Sequence, residues 1–300
     1  MTSPYYIAVR PIPWDPAPGD HPLALGRNVR HDSRNRAYAW ARQDRELTSQ
    51  LWTCHIGILD QLDVGSCTAE AGVRGLATDP IFGALPPAHP ALDQAFAYQL
   101  YSAEETLDGD GPYPPQDNGS TGPTCGQVLK TMGLISGYKH AFDLGALLDA
   151  LEDGPAWIGI NWYSSMDQPD RSGLVSIDSG AYVRGGHEVL VRGKDVSARV
   201  IHCDNSWGPG WGANGSFDIG WDTMTRLLAE QGDVTIPVPL TQPAPQPQPA
   251  PPQPAPDPGP DDADLVLFRQ TRAWTAGRHT GAARAIARDL RTWYDAKGLS

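Results

Sequence analysis

The order of hydrophobic patterns along the 300 residues predicts an α+β fold. Apolar residues recur at helical spacing between Cys67 and Leu151, and short strand patterns bounded by Gly, Asp or Asn take over from Pro155. Residues 241–264 then carry ten prolines, which ends the globular pattern and sets the last 36 residues apart.

Residues 1–50 begin Pro-rich and become charged from Arg27 to Glu46, which reads as an extended or loosely helical arm without a clear core. Leu51 to Gln61 reads as a strand and turn. From Cys67 to Ala77 the composition is helical, so Cys67 is placed at or just before a helix N-terminus. Further helices are predicted over 91–107, 127–134 and 144–151; the last has Asp143 as N-cap and Leu144, Leu147, Leu148 and Leu151 on one face. Strands are predicted over 156–163, 188–192, 198–203, 216–220 and 234–238. The main domain is accordingly expected over residues 51–240.

Residues 241–264 read as a linker, since Pro-rich chain extends about 3.1 Å per residue and this piece spans up to roughly 70 Å. Beyond it, 265–274 and 282–297 read as two short helices, the second with Ile286, Leu290 and Trp293 on an apolar stripe. A 36-residue unit falls below the roughly 40 residues that usually fold alone, so this module is expected to dock on the main domain or on a partner. A solvated tail with no client is the plainer alternative.

The formal net charge of −12 argues against a nucleic-acid surface on the main domain. Residues 265–300 hold seven Lys or Arg against two Asp and are the basic exception. No run approaches the roughly 18 apolar residues of a membrane span, and residues 1–25, with six prolines, do not read as a secretory signal; a cytoplasmic location without membrane contact is expected. The balance of Ala, Gly, Pro, Arg, Asp and Trp suggests a high-GC genome, such as an actinobacterium or its phage, in which case host cytoplasm or virion is the setting.

Four cysteines are present, Cys54, Cys67, Cys125 and Cys203; with one used as a nucleophile, the remaining three cannot complete a disulfide framework. The pairs Cys54-His55 and His202-Cys203 invite a zinc reading. Adjacent residues of a strand point to opposite faces, however, so neither pair converges on one ion, and no metal or cofactor is expected.

The chemistry concentrates in two segments. Gln61 stands six residues before Cys67 in Gln61-Leu62-Asp63-Val64-Gly65-Ser66-Cys67-Thr68, and His187 stands 18 residues before Asn205-Ser206-Trp207-Gly208. A nucleophilic thiol needs a base, a group that orients the base and a donor for the developing oxyanion; Cys67, His187, Asn205 and Gln61 supply one candidate for each role.

These residues resemble the papain-like cysteine peptidases, whose Cys-Gly-Ser-Cys-Trp signature is followed by His and Asn about 130 to 150 residues on. Here Val64 replaces the first cysteine and Thr68 the tryptophan, as in the bacterial and phage branch, with His187 120 and Asn205 138 residues after Cys67. The resemblance spans roughly Trp52 to Leu240. It implies a two-part fold, a helical half and a β-barrel-like half with the cleft between them. It also implies cleavage of peptide or protein substrates through a thiolate–imidazolium pair, with Trp207 shielding the His187–Asn205 hydrogen bond. Asn118-Gly119-Ser120 is similar to the loop that pairs with substrate backbone, so Gly119, Ser120 and Gly186, together with Trp207, are implied as substrate-binding residues. Glu188 departs from the family, which has a small residue after the histidine, and leaves substrate preference open. Two other readings stand beside a general peptidase: a peptidoglycan-peptide hydrolase on the same fold, and a non-catalytic docking protein on a peptidase scaffold.

Overall fold

Ser66 ends a tight turn, and the chain enters its first long helix, α1 (Cys67–Leu76), with every residue buried. The structure, a computed structural model, describes residues 23–240; the expectations for residues 1–22, the Pro-rich linker 241–264 and the C-terminal helices 265–300 lie outside the described residues. Fully buried Val73 and Leu76 on α1 contribute roughly 1.5–3 kcal/mol each by leaving water.

Local sequence explains most of the other helices. In α3 (Gln94–Asp108) the Asp93 carboxylate accepts from Phe96 N at 2.9 Å, and Gly109 at φ 91° ends the helix in the left-handed region. Helix α4 (Gly122–Thr131) starts five residues before its expected place because the Thr121 hydroxyl caps Thr124 N at 3.1 Å. Asp143 caps α5 (Leu144–Ala150) through Ala146 N at 2.8 Å. Short α2 (Ile81–Ala84) and amphipathic α6 (Trp221–Ala229), which buries Met224 and Leu227, were not expected from the pattern.

The strands are β1 (Gln50–Leu51), β2 (Gly137–Ala141), β3 (Ala156–Tyr163), β4 (Leu174–Val175), β5 (Val183–Asp195), β6 (Val200–Asp204), β7 (Ser216–Gly220) and β8 (Asp233–Val238). They form one sheet in the order β2-β8-β3-β5-β6-β7-β4, with β1 beside β5 and only the β4–β7 pair parallel. The sheet is not closed: the half expected to be barrel-like is an open, mostly antiparallel sheet. Strand β5 runs well beyond the predicted 188–192, because Gly185 and Gly186 carry no apolar signal yet pair with Trp162 and Asn161 of β3. Of the strand expected from Leu51 to Gln61, only Leu51 is in a ladder; Cys54 and Asp60 make single bridges, to Thr78 and Trp207.

Two apolar cores result. One lies among α1, α3, α4 and Trp157 of β3, the other between the sheet and α5 and α6. A buried charge cluster joins them: Asp204 at the end of β6 accepts from Arg74 of α1 at 2.5 Å and from Arg192 of β5 at 2.7 Å. Among the described residues no helix is long and apolar enough to cross a membrane.

Candidate active site

Cys67 opens α1 where helix and sheet meet, at the helix end whose first backbone N–H groups lack intrahelical partners. Ser66 leaves them uncapped; its hydroxyl donates instead to Glu70 Oε1 at 3.0 Å. Strand β5 brings the second group. The Glu188 backbone N–H donates to Cys67 Sγ at 3.4 Å, which sets the sulfur against the residue that follows His187. His187 Nε2 lies 2.7 Å from Asn205 Oδ1 at the exit of β6, and Nδ1 has no hydrogen-bond partner. An amide oxygen only accepts, so Nε2 carries the proton and Nδ1 is the free base.

The imidazole is clamped by aromatic rings. Trp207 stacks on it with centroids 4.8 Å apart and planes at 21°, while Trp162 of β3 meets it edge-on at 5.1 Å. Trp162 escaped the sequence reading, because inside an apolar strand nothing separates it from an ordinary core tryptophan.

Gln61 is fully buried and anchored at both ends of its amide: Nε2 donates to Val64 O at 2.7 Å, and Oε1 accepts from the Ser206 hydroxyl at 2.5 Å. The two motif segments are also joined by backbone, with Gln61 N to Ser206 O at 2.8 Å and Gly208 N to Leu59 O at 3.1 Å. The sequence motif assigns Ser206 no role. Its hydroxyl fixes which end of the Gln61 amide presents N–H groups.

Gly119, Ser120, Gly186 and Trp207 converge on a strand of the chain's own N-terminal arm. Trp207 Nε1 donates to Ala24 O at 2.9 Å, Ser120 N to Gly26 O at 2.9 Å, Arg27 N to Gly186 O at 3.1 Å and Asn28 N to Ser120 O at 2.7 Å. Gly26 also lies against the backbone of Gly65, in the turn that leads to Cys67, near enough for its backbone to favour the thiolate. A Cβ on Gly119 would stand 2.0 Å from Gly26 O, and one on Gly186 2.2 Å from Arg27 O, so the bare backbone at both positions is what admits this strand.

With residues 23–28 in place, Cys67 and His187 are both fully buried. Burial pushes the Cys67 thiol well above its usual value, and the carboxyls of Glu188 and Glu70 push the same way. Burial also draws His187 down to about 4, against the hydrogen bond it donates to Asn205. The thiolate–imidazolium pair expected from the sequence is therefore disfavoured in this arrangement: a strand that excludes water removes the solvation both charges need. Behind α1, Glu70 and Glu104 are buried and pushed up to about 8 by desolvation. His202 and Cys203 do face opposite sides of β6, His202 reaching Asp218 at 2.7 Å and Cys203 lying in the core.

No protein-family model matches the sequence, and no curated protein matches it. Solved structures do match. Xylellain, a cysteine protease from Xylella fastidiosa, aligns with 75% of this chain and 100% of its own at 17% identity and a TM-score of 0.59. Procathepsin L 3 from the Tenebrio molitor larval midgut aligns over 72% of this chain and 76% of its own, with 16% identity and a TM-score of 0.49. The proform of the ragweed pollen cysteine protease Amb a 11 aligns over 66% and 67% at 17% identity, with a TM-score of 0.47. By its likeness to xylellain, and with a helical layer meeting a sheet at Cys67 and His187, the chain has the papain-like cysteine protease fold.

Proposed function

We propose that the protein is a cysteine-type peptidase that hydrolyses peptide bonds in peptide or protein substrates through a thioacyl-enzyme, and that residues 23–28 hold it in a latent form. One observation carries the reading: an extended peptide strand lies over Cys67, held by its backbone to Ser120, Gly186 and Trp207. A channel that grips main chain through bare glycines and a ring N–H suits a polypeptide substrate.

In this reading Cys67 Sγ attacks the substrate carbonyl carbon while its proton passes to His187 Nδ1. Asn205 Oδ1 holds Nε2–H throughout and keeps the ring in register. The Gln61 amide and the Cys67 backbone N–H face the oxyanion, where one such donor is typically worth about 2.7 to 4 kcal/mol. Collapse breaks the C–N bond, and the leaving amine takes the proton from Nδ1. Water, deprotonated by Nδ1, then cleaves the thioester to carboxylic acid and free thiol. The xylellain match at the level of fold is consistent with this chemistry.

The full-length chain carrying Gly26→Leu tests it. Any Cβ at residue 26 meets Gly65 O at 1.9 Å, so this substitution expels the strand and leaves the site intact. The variant is expected to cleave a denatured protein and to be labelled at Cys67 by an epoxide thiol inactivator, and adding Cys67→Ala should abolish both. A folded Gly26→Leu chain with an accessible Cys67 and no cleavage would overturn the peptidase reading.

A further inference from the structure

The residue of the arm gripped most tightly is Arg27. Its backbone is bracketed by Ser120 and Gly186, and its side chain, 0% exposed, turns down into the protein next to the residue that covers Cys67. Nε donates to Asp233 Oδ2 at 3.1 Å, Nη2 pairs with the same oxygen, and Nη2 also donates to Gln231 O at 2.6 Å. Fully buried Glu188 forms another wall, with neither carboxyl oxygen hydrogen-bonded. Gly159 of β3 makes the room: a Cβ there would stand 2.5 Å from Arg27 Nε, 2.6 Å from Glu188 Oε2 and 2.9 Å from Asp233 Oδ2.

The pocket thus offers two carboxyls and a backbone carbonyl to one guanidinium, and Asp233 Oδ1, both Glu188 oxygens and Thr235 Oγ1 stay unpaired around it. An apolar side chain in that place would leave Asp233 Oδ2 and Gln231 O without the donors Arg27 supplies, a loss that a cationic, multi-donor side chain avoids. The backbone bracket acts on whatever peptide lies in the channel, so the side chain of the bracketed residue meets the same walls in a substrate as in the arm.

We propose that this pocket, floored by Asp233 and walled by Glu188, selects substrates with arginine, and secondarily lysine, at one position within two residues of the scissile bond, and that Arg27 holds the arm by occupying it. The inference rests on the peptidase reading above and assigns its substrate class. Asp233 and Glu188 are specificity-determining residues; neither takes part in bond cleavage.

Two measurements on the full-length chain decide it. In the first, Gly26→Leu is assayed on peptides varied at each position around the scissile bond. Arginine is expected to exceed leucine by roughly 30-fold or more in kcat/KM at one position, and adding Asp233→Asn should remove most of that preference, since a buried charge pair is lost. In the second, which needs no turnover, the rate of Cys67 alkylation is compared between the unsubstituted chain and Arg27→Leu, Arg27→Lys and Asp233→Asn. Arg27→Leu and Asp233→Asn should each raise the rate about tenfold or more, with Arg27→Lys between them and the parent. Preference for an apolar residue that Asp233→Asn leaves unchanged overturns the proposal, and so does an Arg27→Leu chain alkylated at the parental rate. If no variant cleaves any peptide but the alkylation rates follow the expected order, the peptidase reading falls while the pocket's selection of arginine stands.

Discussion

Replacing Gly26 by leucine opens the site by a calculable amount. The new Cβ would meet Gly65 O, C and Cα at 1.9, 2.3 and 2.5 Å, all backbone atoms of the tight turn before Cys67, so arm and turn cannot both keep their places, and displacement of the arm is the expected outcome. Its displacement forfeits four hydrogen bonds along the arm's backbone, from Trp207 Nε1, Ser120 N, Arg27 N and Asn28 N, apart from those of the Arg27, Asn28 and Arg184 side chains. At about 1 kcal/mol net each the sum is about 4 kcal/mol, or roughly 1000-fold in the fraction of chains with an open site. Opening also returns water to Cys67 and His187, reversing the burial that holds the thiol up and the imidazole at about 4, so the thiolate becomes accessible near neutral pH. Cys67 alkylation at pH 6, located by peptide mapping, should therefore rise by roughly 100- to 1000-fold, while Cys125 and Cys203, buried in the two cores, should not change. An unaltered rate at Cys67, in a chain whose melting curve matches the parent's, would refute the claim that residues 23–28 seal the site.

Other perturbations probe separate parts of the molecule. Gln61→Ala in the opened chain should lower kcat by roughly 100- to 1000-fold with KM little changed, the range for one oxyanion donor; unchanged kcat removes Gln61 from the site. Arg74→Met strips one partner from buried Asp204 and should cost about 3 to 5 kcal/mol in denaturant unfolding; a loss below 1 kcal/mol would mean that Arg192 and the Ser216 hydroxyl satisfy Asp204 without it. Glu104 keeps its proton in the folded chain up to about pH 8 but loses it near 4.5 when unfolded, so its contribution to stability is complete below pH 4.5 and is lost as pH rises to about 8. Glu104→Gln should flatten the fall in stability across that window, and an identical slope in both chains would refute the assignment. Truncation after Leu240 should leave turnover of small peptides by the opened chain intact; collapse of turnover would make the basic C-terminal residues part of the enzyme.

The site was legible where chemistry is written in contiguous segments. Gln61 to Thr68 and Asn205 to Gly208 supply candidates for a nucleophile, an orienting amide and a donor by type and spacing, and the fold joins those segments through Gln61 N to Ser206 O. The helix cap at Asp143, the short apolar run of β3 and the alternation of β7 were legible for the same reason, since capping and pleat act over a few residues. Helix α4 was misplaced at its start because Thr121 looks like loop until its hydroxyl is seen on Thr124 N. Strand β5 was underestimated because glycines pair by backbone and leave no pattern.

What the sequence by itself determined is a set of reactive groups and the α+β order of the elements that carry them. Only the tertiary structure decided that Gly26, 41 residues before Cys67, packs on the turn that leads to it, that Asp233 from β8 and Glu188 from β5 share one pocket over Gly159, and that Trp162 braces His187. The physical reason is range. Propensity, capping and motif spacing are local, whereas a channel and its charge balance arise from main chain and carboxyls brought together across as many as 206 residues, and no window of sequence contains both sides of such a contact.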